Sequence, residues 1–255
     1  MNSRQVLQLT PEIDVTHMGP PLEKGRLPAL FYFGLSARES LELDPYNQPV
    51  ALLYKSDIRI FSIDLPAHGE GQSAIDALTI WANAFKEGED PLTPFLDKVL
   101  FAIKELQSRG LIIPEKVGLM GLSRGGLIAC HVAARLSQVR AVVCFAPMTS
   151  LTASKEFAGL EGNASVDNFD LLNMQDHLFD KAIRFYIGNR DIKVGTGGCF
   201  HFVESLANTA FEQGVRSPPI EMIISPSIGH MGHGTGKAEF EAGGTWISEK
   251  LGIHQ

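Results

Sequence analysis

No part of this chain approaches the roughly 20 consecutive apolar residues that a membrane-spanning helix needs. Behind the N-terminal Met1-Asn2-Ser3-Arg4-Gln5 there is no apolar core of a secretory signal either. Lysine and arginine are not clustered: 22 basic residues are set against 29 acidic ones, for a net charge of -7. The electrostatic footprint of a nucleic-acid binder is therefore missing. Cysteine is scarce. Cys130, Cys144 and Cys199 are odd in number and lack metal-ligand spacing, which excludes a fully paired disulfide framework and points to buried free thiols in a reducing compartment. No repeat period is visible, and 44% hydrophobic with 20% charged residues is neither disordered nor fibrous composition. These features lead to the expectation of a soluble, cytoplasmic protein with no membrane or nucleic-acid partner, and they leave its oligomeric state open.

The 255 residues suffice for one sizeable core, so a single domain over 1–255 is expected. Short alternations at Val6-Leu7-Gln8-Leu9 and Ile13-Asp14-Val15 predict edge strands. The continuous apolar run Leu30–Phe33 predicts a strand buried on both faces, and Ile58–Ile63, Val117–Leu122, Arg140–Ala146, Ala182–Ile187 and Ile220–Ser225 predict further strands. Helical periodicity marks 77–85, a segment capped by Thr93 with Pro94 first in the helix, 124–136, 200–213 and 238–251; residues 35–57 read as loop. Strands alternating with helices imply an α/β fold, a mostly parallel central sheet with helices on both faces. Functional groups then belong at the carboxyl ends of the strands. Between 147 and 180 the pattern weakens, as expected of a small cap region.

The chain is organised around Gly121-Leu122-Ser123-Arg124-Gly125-Gly126, where an apolar run meets a glycine-flanked serine and turns into an alanine-rich segment. Strand, sharp turn and helix in that order push a serine hydroxyl out at the sheet's end, and the helix start favours developing negative charge beside it. Ser123 is thus the candidate nucleophile. It needs a base. His131 lies eight residues along the same helix, about 12 Å away along the axis, and is out of reach. His230 and His233 follow the last strand in a glycine-rich loop; His230 is favoured because it is nearer the strand end, and His233 remains the alternative. The two could also ligate a metal, but no third ligand stands at a recognisable spacing. Asp191, in a turn after a strand, is the candidate to orient the base; Asp176 and Asp180 precede that strand. Oxyanion donors are expected to be the backbone N–H of Arg124 and that of Leu35, or else Ser36. His68, in the turn Asp64-Leu65-Pro66-Ala67-His68-Gly69, reads as a structural hydrogen-bonder.

Together with Gly188-Asn189-Arg190-Asp191 and Gly229-His230, these motifs occur in the order seen in α/β-hydrolases. The chain resembles that superfamily over roughly residues 29–251, and its helix leading through Pro114-Glu115-Lys116-Val117 is similar to the branch holding dienelactone hydrolases and prolyl-oligopeptidase-type catalytic domains. The resemblance implies Ser123 as nucleophile, Asp191 as acid and His230 as base. Serine at the elbow, rather than the aspartate or cysteine of other members, implies hydrolysis of carboxylic esters or thioesters with no cofactor. Phe33 stands where many members have histidine. A small peptidase and a non-catalytic scaffold on the same fold are the alternatives. The polar composition of Ala158–Asp170 implies a pocket for short acyl groups.

Overall fold

The structure, a computed structural model, describes residues 4–253. Two antiparallel strands, β1 (Gln5–Thr10) and β2 (Ile13–Met18), lead into β3 (Leu27–Phe33). Two short helices follow, α1 (Ala37–Glu42) and α2 (Gln48–Leu53), then β4 (Arg59–Ser62). Helices α3 (Ala77–Lys86) and α4 (Thr93–Ser108) precede β5 (Ile112–Leu122), α5 (Arg124–Arg135) and β6 (Val139–Phe145). Single-turn helices α6 (Ala164–Asp167) and α7 (Gln175–Leu178) lie on the path to β7 (Ala182–Gly188), and α8 (Thr196–Glu212), β8 (Ile220–Ser225) and α9 (Lys237–Lys250) complete the order.

The eight strands form one sheet in the order β1-β2-β4-β3-β5-β6-β7-β8, parallel from β4 to β8. It is the mostly parallel sheet the alternation predicts. Successive strand residues feed opposite cores. Phe31, Leu119, Val142 and Cys144 join α3, α4, α5 and α8 on one face, while Leu30, Met120, Val143 and Phe145 meet α2 and α9 on the other. Strands clothed on both sides explain the continuous apolar runs of β3 to β7, whereas β8, at the sheet edge, leaves Ile223 and Ile224 exposed despite its apolar run.

Four sequence expectations change. β2 is not an edge strand, because it pairs with β1 and β4. Residues 35–57 are not all loop: Ser36 and Glu39 form a reciprocal capping box that starts α1. Thr93 is the first helical residue rather than the cap, and Asp90 Oδ1 accepts the N–H groups of Leu92 and Thr93 in its place. α8 begins four residues earlier than its apolar stripe suggests, directly after Gly195 at φ +86°. All three cysteines are buried and free, as expected. Among the described residues no helix is long and apolar enough to cross a membrane.

Candidate active site

Ser123 occupies the junction of β5 and α5 with φ +55° and ψ -120°, a conformation L-residues rarely adopt. The glycines make it possible. A Cβ on Gly125 would run into the carbonyl of Phe33 on β3, and one on Gly121 into the Gly125 carbonyl. The strained residue is held by the neighbouring strand: Ser123 N–H donates to the Phe145 carbonyl at 2.8 Å, and Met148 N–H donates to the Ser123 carbonyl at 3.1 Å.

Asp191 lies in the turn after β7 and is 2% exposed. Its Oδ1 accepts the N–H groups of Lys193 at 3.0 Å and Val194 at 3.1 Å, which leaves Oδ2 to accept from His233 Nδ1 at 2.7 Å. A carboxylate only accepts, so the neutral imidazole carries its proton on Nδ1 and Nε2 is bare. Nε2 in turn accepts the Ser123 hydroxyl at 2.8 Å.

The expectation of His230 over the elbow is therefore corrected: His233 occupies that position, and His230 is exposed at the cavity rim and takes part in neither bond. The reason is reach. β8 stands three places from β5, roughly 14 Å at ordinary strand spacing, and its connection must cross that distance before a ring can meet Ser123. The loop turns back at Gly229 and Met231, both at positive φ, and docks on the Asp191 turn, where Ile192 N–H donates to the Met231 carbonyl at 3.0 Å. Only after that turn does a side chain face the carboxylate. The strand order, not the nearness of a residue to the strand end, selects the histidine.

A second correction concerns the oxyanion donors. The N–H of Leu35 is already engaged by Ser40 Oγ at 3.0 Å, and that of Ser36 by Glu39 Oε2 at 3.1 Å in the capping box. The N–H of Arg124, first residue of α5, has no intrahelical acceptor and stands beside the serine.

Two further histidines, His131 and His68, are engaged by hydrogen bonds. His131 is fully buried, accepts from Arg135 Nη1 at 3.0 Å and bonds the Phe169 carbonyl at 3.1 Å; desolvation lowers its pKa to about 4. His68 bonds the Pro66 carbonyl through Nδ1 at 2.8 Å, as its turn position predicts, and also meets Arg124 Nη1 at 3.2 Å through Nε2. That second contact has no trace in local sequence. Asp176 and Asp180 stay exposed before β7, away from this constellation.

Above the serine lies a cavity of about 810 Å³ walled by Leu35, Tyr46, Ile192 and Phe240, among others, and by the segment Thr152–Glu156. The weakly patterned 147–180 interval thus supplies one wall. Among the described residues no group of three or more histidine, cysteine or acidic side chains could hold a metal ion. The arrangement can deprotonate a hydroxyl nucleophile, stabilise the resulting imidazolium and receive a small organic molecule.

Residues 61–185 match the Dienelactone hydrolase family, a span that contains Ser123 and stops short of Asp191 and His233. No curated protein matches the chain in sequence. Among solved structures, it is similar to an esterase of Pyrococcus furiosus, with 19% identity and a TM-score of 0.65 over 98% of this chain and 92% of that one. A cold-adapted esterase from an Arctic intertidal metagenomic library gives 16% identity and the same 0.65, over 97% and 93%. The dipeptidyl peptidase 4 of Porphyromonas gingivalis gives 13% and 0.66 over 97% of this chain, which spans only 35% of that protein's length. At these identities the likeness is one of fold, an α/β-hydrolase fold.

Proposed function

We propose that this chain, an α/β-hydrolase by fold, is a serine hydrolase that cleaves carboxylic esters or thioesters with short acyl groups through an acyl-enzyme. The observation that carries the reading is the unbroken line of hydrogen bonds from Ser123 Oγ through His233 to Asp191. In the first step Oγ attacks the carbonyl carbon while its proton passes to Nε2 of His233, and Asp191 stabilises the imidazolium. The Arg124 N–H stabilises the oxyanion. Collapse of the tetrahedral species expels the alcohol or thiol, which takes the proton from Nε2. Water, deprotonated by the same nitrogen, then releases the acid and regenerates the serine.

A small-molecule ester fits a cavity of this size. Thr152, Ser154, Lys155 and Glu156 make one wall polar, so an alkyl chain would have apolar surface to bury only away from that wall, as at Leu35, Ile192 and Phe240. Each methylene buried is worth about 0.8 kcal/mol, so a channel for fatty acyl groups would raise specificity with every carbon. No such gain is expected beyond about butyrate. Buried free thiols fit a cytoplasmic setting.

The test is labelling of the native chain by a fluorophosphonate probe, with the adduct located by peptide mass spectrometry. Labelling at Ser123 that is lost in Ser123→Ala supports the reading; a folded protein that stays unlabelled overturns it. Comparing kcat/KM for 4-nitrophenyl acetate, butyrate, octanoate and palmitate tests the acyl range, and a maximum at octanoate or longer removes that part.

A further inference from the structure

The cavity wall beside the serine carries a cation that forms no direct ion pair among the described residues, with Glu156 and Glu39 acting on it only from a distance. Arg124 is 6% exposed and lines the cavity. Its guanidinium is anchored through Nη1 alone, which donates to His68 Nε2 at 3.2 Å and to the Ala74 carbonyl at 2.9 Å, both neutral acceptors. Nε is buried and has no partner, and Nη2 forms no hydrogen bond among the described residues. With Nε closed off, Nη2 is the guanidinium nitrogen left with free donors, of the kind arginine uses to bind a carboxylate.

The surroundings point the same way. Lys193 and Lys155 line the cavity with Arg124, against the carboxylates of Glu156 and Glu161, so three cations face two anions. Both carboxylates are partly committed, Glu156 to the Ser154 hydroxyl and Glu161 Oε2 to the Gly159 N–H at 2.8 Å. Neither Arg124 nor Lys193 is in an ion pair among the described residues. Burial lowers the pKa of Arg124 to about 10, so it is still charged at neutral pH. Glu156 and Glu39 offset part of the cost of burying this charge, and an incoming anion in direct contact offsets more of it.

His68 explains how the guanidinium is held. Arginine only donates, so Nε2 of His68 must be bare and Nδ1 must carry the proton that bonds Pro66 at 2.8 Å. Trp81 Nε1 donates to the same Pro66 carbonyl at 2.9 Å and fixes the turn. His68 is a neutral prop under Arg124, which gives a task to the Asp64–Gly69 motif.

We propose that Nη2 of Arg124, with Lys193 in the same wall, recognises a carboxylate on the ester, so that the preferred substrates are anionic esters. This rests on the serine-hydrolase reading above. The test compares kcat/KM within two matched pairs: the mono-4-nitrophenyl ester of glutaric acid against 4-nitrophenyl valerate, and 4-acetoxyphenylacetic acid against its methyl ester. The first pair places the charge on the acyl side and the second on the leaving group. The anionic member of at least one pair is expected to be preferred about tenfold or more, mainly through KM. Because Arg124 also supplies a backbone donor, its variants are read only through the ratio within a pair. Arg124→Met and Lys193→Met should shrink that ratio, and the double variant should bring it within about twofold of unity. His68→Leu should shrink it as well, while His68→Gln, which keeps an acceptor, should retain most of it. Equal or lower rates for the anionic member of both pairs, or a ratio unchanged in the double variant, overturn the proposal while fluorophosphonate labelling of Ser123 leaves the hydrolase reading standing. Absence of both labelling and turnover overturns the two together.

Discussion

The α-carbon of Gly232 lies against the carbonyl oxygen of Arg190, so close that a Cβ at position 232 would overlap it. This contact seats the loop after β8 on the turn after β7 and so brings His233 to Asp191. Gly232 also has φ +74°, which disfavours any side chain there. Gly232→Ala is expected to lift the loop and lower kcat on the order of 100-fold, the scale of a displacement of about 1 Å. The loss of stability should stay below about 2 kcal/mol, since the loop can detach without opening the core. Activity assays beside thermal melts check this; an unchanged kcat would mean that the contact does not set the histidine's position.

Exchange of the two loop histidines separates reach from proximity. His233→Ala is expected to lower kcat on the order of 10⁴-fold or more, and His230→Ala less than about tenfold, because only the first removes the group that accepts the serine proton. The opposite ranking in kcat would return the role of base to His230.

Asp191→Asn keeps the size of the side chain, and its Oδ1 can still receive the turn N–H groups of Lys193 and Val194. The amide nitrogen facing His233 would favour the tautomer with the proton on Nε2, leaving nothing to accept from Ser123. A drop in kcat of about 10⁴-fold is expected, with a circular dichroism spectrum like that of the parent. A variant with near-parental kcat would show that another group orients the imidazole.

Acid should destabilise the fold through two histidines remote from the chemistry. His17 and His131 are buried, and desolvation lowers both from 6.5 to about 4, helped for His17 by Arg59 and for His131 by Arg135. The unfolded chain binds these protons more readily than the folded one. Their contribution is therefore intact above pH 6.5 and is lost as pH falls toward 4. Melting temperature should decline over that window, and His131→Gln should decline less steeply than the parent. Parallel profiles would refute the assignment.

Much of the site could be read from the sequence because it is written locally. The elbow needs Gly121, Ser123 and Gly125 within five positions, and each is demanded by a neighbour the strand–helix turn always brings close. Asp191 was legible for the same reason, as a residue at a strand's carboxyl end. What was not legible depends on distances between elements. Choosing between His230 and His233 required the order of strands in the sheet, which fixes how far the last loop must travel. The Leu35 donor was lost to Ser40, on a short helix in a segment interrupted by Pro45 and Pro49, although Ser36 and Glu39 carried its capping box. The bond between His68 and Arg124 joins positions 56 residues apart, and neither residue announces the other.

The bonds that clamp residue 123 against β6 and the segment just after it run through its own N–H and carbonyl, and the side chain takes part in none of them. Position and reactivity are thereby separable in this chain: the main chain decides where the attacking atom stands, and the side chain decides what that atom is. A thiol in place of the hydroxyl would inherit the same seat, the same histidine and the same helix start. The scaffold is in this sense a holder whose grip does not depend on the side chain it presents.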